Sequence, residues 1–208
     1  MSSSTITGAI LAGGPNKFMS GTLKPLLPFD GGTLIEHQIR IMRELCGEII
    51  VVTNTPKPFF DVLDRSVRLI TDYFPDCGPL GGIHAALHLA RNPLVWVAGC
   101  DMPFLSTEAA RRLVENRTEH NRAFVPTIGN RPLPLHGIYD KRCAADAANL
   151  LSTGEKRLEA FLNKAGYLGI SADSWREEQS IGDFAFTIRS QEDYERAEER
   201  LSRILHTR

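Results

Sequence analysis

The chain has 208 residues, a length that suits one large α/β domain better than two small ones, and we expect a single domain over residues 5–206. Hydrophobic residues make up 42% of the chain, enough for an ordinary globular core. The 24 Lys and Arg residues nearly balance the 25 Asp and Glu residues. That balance argues against nucleic acid or an anionic membrane as the main partner, because both select a basic surface.

The cysteines and the N-terminal segment predict a cytoplasmic protein. The four cysteines form no CxxC pair and are too few for a disulfide scaffold, so we expect free thiols in a reducing compartment at Cys46, Cys77, Cys100 and Cys143. The first residues lack the positive region of a signal peptide, and no stretch reaches the roughly 18 apolar residues that a membrane span needs.

Strands and helices alternate along the chain. Short apolar runs predict strands at residues 6–11, 48–53, 67–70, 94–98, 123–126, 135–139 and 184–189. Apolar periodicity and capping residues predict helices at about 34–46, 78–90, 106 onwards, 141–151, 156–164 and 190–205, with a polar surface loop at 172–183. This alternation is typical of βαβ units. We therefore predict an α/β fold with a single doubly wound, mostly parallel, Rossmann-like sheet.

The segment that follows the first strand is suited to phosphate binding. Gly13 and Gly14 allow the backbone to approach a ligand closely, and Lys24 adds a positive charge. In an open α/β sheet the binding crevice lies at the carboxyl ends of the strands. The segment lacks the P-loop and GxGxxG patterns, however, so a plain tight turn explains the glycine pair equally well.

Two aspartates follow strands that we expect to end at the same edge. Asp101 comes after strand 94–98 and Asp72 after strand 67–70. Mg²⁺ takes oxygen ligands and usually only one or two from the protein, which makes Asp101 a candidate ligand. With Lys24 and the glycines, the two carboxylates predict one triphosphate–metal site. The alternative for Asp101 is a structural cap on the next helix or turn.

Two further motifs have weaker interpretations. The glycine-rich segment 78–82 opens a helix, and a helix N-terminus favours an anion, although close packing of helix on sheet explains the small residues equally well. His84 and His88 share a helix face, but a zinc site needs a third ligand that the sequence does not offer.

Several motifs occur in a fixed order along the chain: LAGG followed by Met and Lys, TNT, TDYFPDCGPLGGI, GCDMPFL, and PLHGIYDKRC with LLSTGEKRLEAFL. Together they resemble the molybdenum cofactor guanylyltransferase family of MobA-like nucleotidyltransferases, over about residues 6–195. LAGG and GCDMP are typical of nucleotidyltransferases in general. GPLGGI with PLHGIY and GEKRL is typical of the molybdopterin branch.

The resemblance implies an enzyme that binds GTP with Mg²⁺ and joins GMP to molybdopterin, releasing pyrophosphate. It implies catalytic roles for Lys24 and Asp101, with Asp101 as the metal ligand. The residues that it assigns to the nucleotide are Leu11, Ala12, Gly13, Gly14, Lys24, Asn54, Asp72 and Asp101. A simple turn position is the alternative for Asn54. Cofactor-biosynthesis proteins or molybdoenzymes are the macromolecular partners that it suggests.

The chain departs from the family pattern at three places. Phe18-Met19-Ser20 replaces Arg-Met-Gly, Leu23 replaces an acidic residue, and Thr187-Ile188-Arg189 replaces Asn-Ile-Asn. These departures permit a sister enzyme that uses CTP or another phosphorylated acceptor, and also a non-catalytic nucleotide-binding relative. The retained Lys24 and the two aspartates favour an enzyme.

Overall fold

The computed structural model describes residues 5–13, 21–173, 175 and 183–206. The strands are β1 Ile6–Leu11, β2 Pro28–Phe29, β3 Gly32–Thr33, β4 Glu48–Val52, β5 Val67–Ile70, β6 Leu94–Gly99, β7 Ala123–Ile128, β8 Arg131–Pro132, β9 Gly137–Asp140 and β10 Tyr167–Ser171. The α-helices are α1 Leu34–Met42, α2 Gly78–Leu89, α3 Thr107–Glu115, α4 Ala144–Ser152, α5 Leu158–Ala165 and α6 Gln191–His206. Short 3₁₀ turns cover Lys24–Leu26, Lys57–Phe59 and Lys141–Cys143.

The main sheet has the order β10-β7-β9-β6-β1-β4-β5, and β8 pairs with β7. The neighbours β5, β4, β1 and β6 are all parallel, and β10 is parallel to β7. Strand β9 is antiparallel to both β6 and β7. The prediction of a mostly parallel α/β sheet is confirmed, with β9 as the reversed strand.

Helices cover both faces of the sheet because successive side chains of a strand point to opposite sides. On β1, Ile10 packs into one apolar cluster with α1 and α3, whereas Ala9 and Leu11 pack into a second cluster with α2, α4 and α5. The doubly wound arrangement follows from this two-sided burial. No helix in the part of the chain described is long and apolar enough to cross a membrane.

Helix α1 begins with the predicted capping box. The Thr33 side chain accepts a hydrogen bond from the Glu36 backbone N–H, and the Glu36 carboxylate accepts one from the Thr33 backbone N–H at 2.8 Å. Two orphan donors of the first turn are thereby satisfied. The helix ends at Met42, and turns carry the chain to β4, so the predicted end at residue 46 was too late.

The C-terminal third differs most from the sequence prediction. Residues 184–189 form no strand. Phe184 and Ile188 are buried in two different apolar clusters, and the Ile188 N–H donates to the Asp101 carbonyl instead of to a neighbouring strand. A strand that the sequence did not predict, β10, pairs with β7 at the sheet edge, where Gly169 weakens the strand pattern. Within the predicted loop 172–183, Ala172 and Trp175 are buried.

Helix α6 returns to the N-terminal half of the chain. Its Ala197 lies in a small apolar cluster with Phe29, Leu34 and Ile188, and its Tyr194 hydroxyl donates to the Pro28 carbonyl at 2.6 Å. The Asp193 carboxylate accepts the backbone N–H groups of residues 189 and 190, as the predicted cap of this helix requires. These contacts hold residues 186–190 beside the end of β6.

Candidate functional site

The carboxyl ends of four parallel strands form one edge of the sheet. Ile70, Val52, Leu11 and Gly99 lie side by side in register across β5, β4, β1 and β6. Two positions beyond them come Asp72, Asn54, Gly13 and Asp101, in that order along the edge. We call these four residues the edge row. Because neighbouring strands lie about 4.8 Å apart, the edge row spans roughly 14 Å.

Asp101 lies in a tight turn at the end of β6. The Met102 N–H donates to the Gly99 carbonyl at 3.3 Å, which closes the turn around Cys100 and Asp101. The Asp101 carboxylate folds back over Gly99, where an added Cβ would lie 2.7 Å from its Oδ1. Burial raises the pKa of Asp101 above its ordinary value, and the positive charges of Lys24 and Arg189 partly oppose that rise.

Lys24 and Arg189 approach Asp101 from opposite ends of the sequence. Lys24 begins a 3₁₀ turn preceded by Leu23, which packs against the core. Arg189 follows the Ile188 peptide that binds the Asp101 carbonyl at 2.8 Å, and its Nε donates to the Thr187 hydroxyl at 3.1 Å. This end of the edge row thus combines one carboxylate with two positive charges, an arrangement suited to a metal–phosphate group.

Asn54 and Asp72 form a linked pair at the other end of the edge row. The Asn54 Oδ1 accepts the backbone N–H of Asp72 at 3.0 Å, and the Asp72 Oδ1 accepts the backbone N–H of Phe74 at 2.8 Å. Burial raises the pKa of Asp72. Asn54 therefore fastens the loop after β4 to the loop after β5, a structural contact that leaves its other side-chain atoms for further bonding.

The glycines of α2 allow the helix to approach the edge row. A Cβ at Gly81 would collide with the Asp72 carboxylate and lie 2.9 Å from the Phe74 carbonyl oxygen, while one at Gly82 would lie 3.2 Å from the Leu11 side chain. Close packing thus accounts for these two small residues. The carboxylate of Asp72 itself lies against the first turns of α2, where the helix dipole favours a negative charge.

The loop after β1 is held firmly where it leaves the sheet. The Ala12 N–H donates to the Val52 carbonyl at 2.8 Å, and the Leu11 carbonyl accepts the Cys100 N–H at 3.2 Å. A nucleotide beside Leu11, Ala12 and Gly13 would therefore meet backbone whose position the neighbouring strands fix. Gly14 and Phe18 lie outside the part of the chain that the structure describes.

The sheet order sets the lateral positions of the two aspartates. Asp72 and Asp101 follow strands that end at the predicted edge, but β4 and β1 lie between those strands, so the two residues occupy opposite ends of the edge row. Among residues 5–13, 21–173, 175 and 183–206, no three His, Cys, Asp or Glu side chains gather as a metal site. The rings of His84 and His88 stack on each other at 5.7 Å beside Tyr73, without a third ligand in the described chain.

Sequence reasoning missed one polar residue close to this site. Gln38 of α1 is fully buried, and its side-chain amide donates to two carbonyls of the Asp101 turn. A signal was present, since Gln38 lies on the apolar stripe that Ile35 and Met42 define at helical spacing. Arg189 was noticed only as a departure from the family pattern, and no sequence signal places it beside Asp101.

Comparison with known proteins agrees with the architecture of the sheet and its helices. The family described as the MobA-like NTP transferase domain matches residues 8–168. The chain belongs to this family and is accordingly a nucleotidyltransferase.

Individual members of the family and individual solved structures are similar to this chain over nearly its whole length. The chain is 30% identical over 193 residues to the molybdenum cofactor guanylyltransferase of Desulfosudis oleivorans, covering 93% of this chain and 94% of that protein. It is similar to the crystal structure of molybdopterin-guanine dinucleotide biosynthesis protein A from Archaeoglobus fulgidus, with a TM-score of 0.78, 25% identity, and coverage of 95% and 99% of the two chains. The 4-diphosphocytidyl-2C-methyl-D-erythritol synthase of Anaerococcus prevotii shares the fold, with a TM-score of 0.67 at 16% identity over 95% of this chain and 96% of that one.

Proposed function

We propose that this protein transfers GMP from GTP to the terminal phosphate of molybdopterin, releasing pyrophosphate and forming the guanine dinucleotide cofactor. The names of the Desulfosudis oleivorans and Archaeoglobus fulgidus proteins support this assignment. The observation that carries it is the edge row. A polar pair, Asn54 and Asp72, lies at one end, and a carboxylate with two cations lies roughly 14 Å away at the other, about the length of an extended nucleotide.

The edge row suggests how the nucleotide lies. Asn54 and Asp72 would meet the guanosine end, because amide and carboxylate groups complement the donor and acceptor groups of guanine and ribose. Backbone groups of Leu11, Ala12 and Gly13, with Gly14, would contact the middle of the nucleotide. Lys24 and Asp101 would face the phosphates. Residues 5–206 would act as one domain, since α6 packs onto β2 and α1.

The donor set at Asp101 fits Mg²⁺. This ion usually keeps several waters and binds one or two protein carboxylates together with substrate phosphates. Asp101 offers one carboxylate, and no group of three His, Cys, Asp or Glu side chains gathers in the described chain, which matches this mode of Mg²⁺ binding. Bound there, Mg²⁺ would neutralise phosphate charge. Burial raises the pKa of Asp101 even though Lys24 and Arg189 oppose the rise, so a bound cation would further stabilise the ionised carboxylate.

The chemistry needs positioning and charge stabilisation more than a base. The acceptor phosphate is already ionised, so it attacks the α-phosphorus in line without prior proton removal, and pyrophosphate leaves. Lys24 stabilises the charge that develops on the phosphoryl oxygens. The backbone of Leu11 and Ala12, which is held by hydrogen bonds to Cys100 and Val52, would fix the nucleotide so that attack and departure stay collinear.

Arg189 keeps a second candidate function open. Where the family pattern has asparagine, this chain has Arg189, whose positive charge partly opposes the rise that burial causes in the pKa of Asp101. An added positive charge there suits an acceptor with more negative charge, so a sister enzyme with a different phosphorylated acceptor or with CTP is the alternative to test.

The test is product identification. Purified protein is incubated with GTP, Mg²⁺ and molybdopterin, and the dinucleotide and pyrophosphate are quantified by mass spectrometry and a coupled assay. We expect equal amounts of both products, loss of both in Asp101→Ala, and no loss in Asp61→Ala, which changes an exposed aspartate that is not part of the edge row. A cytosine dinucleotide formed from CTP in preference would establish the sister enzyme. Binding without any transfer would establish a non-catalytic relative.

A further inference from the structure

Gln38 is a polar residue in the middle of an apolar contact between α1 and the sheet. It is fully buried, and its helical neighbours Ile35 and Met42 belong to the apolar cluster on that face. Its Nε2 donates to the carbonyl oxygens of Gly99 and Met102, each at 2.8 Å. These two carbonyls are the first and last of the tight turn that carries Asp101.

The orientation of the Gln38 amide is set by those two carbonyls. With the amide turned over, its oxygen would face two other acceptors. In the observed orientation Oε1 is buried and has no hydrogen-bond partner within the described chain. An unmade hydrogen bond of this kind is costly inside a protein, and an apolar side chain of the same shape would avoid the cost. Packing alone therefore gives no reason for glutamine here.

The two hydrogen bonds from Gln38 join the first and last residues of the Asp101 turn to helix α1. Met102 N–H to Gly99 carbonyl already closes the turn, and the Ile188 N–H holds the Asp101 carbonyl from the opposite side. One residue before Gln38, the His37 Nε2 donates to the Pro103 carbonyl at 3.0 Å. Side chains from α1 thus hold the segment from residue 99 to 103 along its length.

We infer that Gln38 is a positioning residue, which holds the Asp101 turn so that the carboxylate is presented to a divalent cation at the edge row. The inference rests on the proposed function, because the cation is the one that accompanies the nucleotide. Gln38 touches neither the nucleotide nor the ion. It acts only through the backbone on either side of Asp101.

The experiment removes the two hydrogen bonds that Gln38 donates while keeping the size of its side chain. Gln38→Met and Gln38→Leu lack the amide but fill similar space, and Ile35→Val is the matched control, a mild change in the same helix and cluster. The readouts are the dissociation constant of Mn²⁺ in the presence of GTP, followed by electron paramagnetic resonance, the Mg²⁺ concentration for half-maximal activity, and the KM for GTP.

We expect both Gln38 variants to fold and to weaken Mn²⁺ binding about 10-fold, with a matching rise in the Mg²⁺ requirement and a KM for GTP within twofold of wild type. Ile35→Val should leave Mn²⁺ binding unchanged. Equal Mn²⁺ affinity in wild type and variants would overturn the inference, and so would failure of both variants to fold, since the amide would then serve the core. Absence of Mn²⁺ binding by wild-type protein with GTP would instead count against the proposed function.

Discussion

Gly81→Ala places a methyl group where the Asp72 carboxylate and the Phe74 carbonyl oxygen now lie. Gly81 sits within α2 at ordinary helical φ, so the backbone itself accepts alanine and gains about 1 kcal/mol of helix propensity. The collision opposes that gain. Forcing an extra carbon into a packed site costs typically ~1–3 kcal/mol, so we expect a net change in the free energy of unfolding between about zero and 2 kcal/mol of destabilisation.

We expect Gly81→Ala to affect nucleotide binding more than stability. The Asp72 carboxylate accepts the Phe74 N–H, and we expect the collision with the methyl group to break this hydrogen bond and to displace Asp72 from its place in the edge row. Loss of one hydrogen bond to a charged group costs about 1.5–3 kcal/mol, which predicts a roughly 10- to 150-fold higher Kd for GTP by isothermal titration calorimetry.

Gly82→Ala is the matched control for Gly81→Ala. Its methyl would meet only the Leu11 side chain, at 3.2 Å, which can give by a few tenths of an ångström. Binding of GTP should stay within twofold of wild type. If Gly81→Ala binds GTP as tightly as Gly82→Ala does, Asp72 has no part in nucleotide binding and the orientation proposed along the edge row is wrong.

Asp101→Asn should abolish transfer yet raise the melting temperature of the metal-free protein at pH 7. Burial raises the folded-state pKa of Asp101, so ionisation of this carboxyl group opposes folding as pH rises through that pKa. The difference in melting temperature between variant and wild type should therefore vanish near pH 3, where the carboxyl group is protonated in both folded and unfolded protein. A variant that melts at a lower temperature than wild type at pH 7 would refute this. Lys24→Ala should lower kcat about 10²–10³-fold, as expected for one lost electrostatic contact at the transition state. A change in the KM for the acceptor alone would show that Lys24 does not contact the nucleotide phosphates. Thr33→Ala should cost about 1 kcal/mol in chemical denaturation by removing the α1 cap, without altering GTP affinity; no loss of stability would show the cap to be dispensable.

The order of strands and helices in the first half of the chain could be predicted because local patterns decide it. The apolar run of β1 and the Thr33 capping box are signals within a few residues, and both are confirmed. The edge row was also foreseeable, since parallel strands end at one edge. Its lateral order was not, because only the sheet topology places β4 and β1 between Asp72 and Asp101.

The segment 184–189 resisted prediction for a different reason, although the helices predicted at 156–164 and 190–205 are confirmed. The apolar residues of 184–189 satisfy a strand pattern, but Phe184 and Ile188 use their burial to dock against separate clusters. Tertiary packing there overrides the local preference. Gln38 shows the opposite case, in which a local oddity, a polar residue on an apolar stripe, was visible but its partners 61 and 64 residues away were not.

Nucleotide choice tests the central claim most directly. Isothermal titration of GTP, CTP and ATP into the purified protein, with and without Mg²⁺, measures whether a guanine nucleotide occupies the edge row. A site that pairs with both donor and acceptor groups of guanine penalises a base that lacks them. We predict Mg²⁺-dependent binding of GTP at least 10-fold tighter than that of CTP or ATP, weakened in Gly81→Ala. Tighter binding of CTP, or no nucleotide binding at all, would contradict the account.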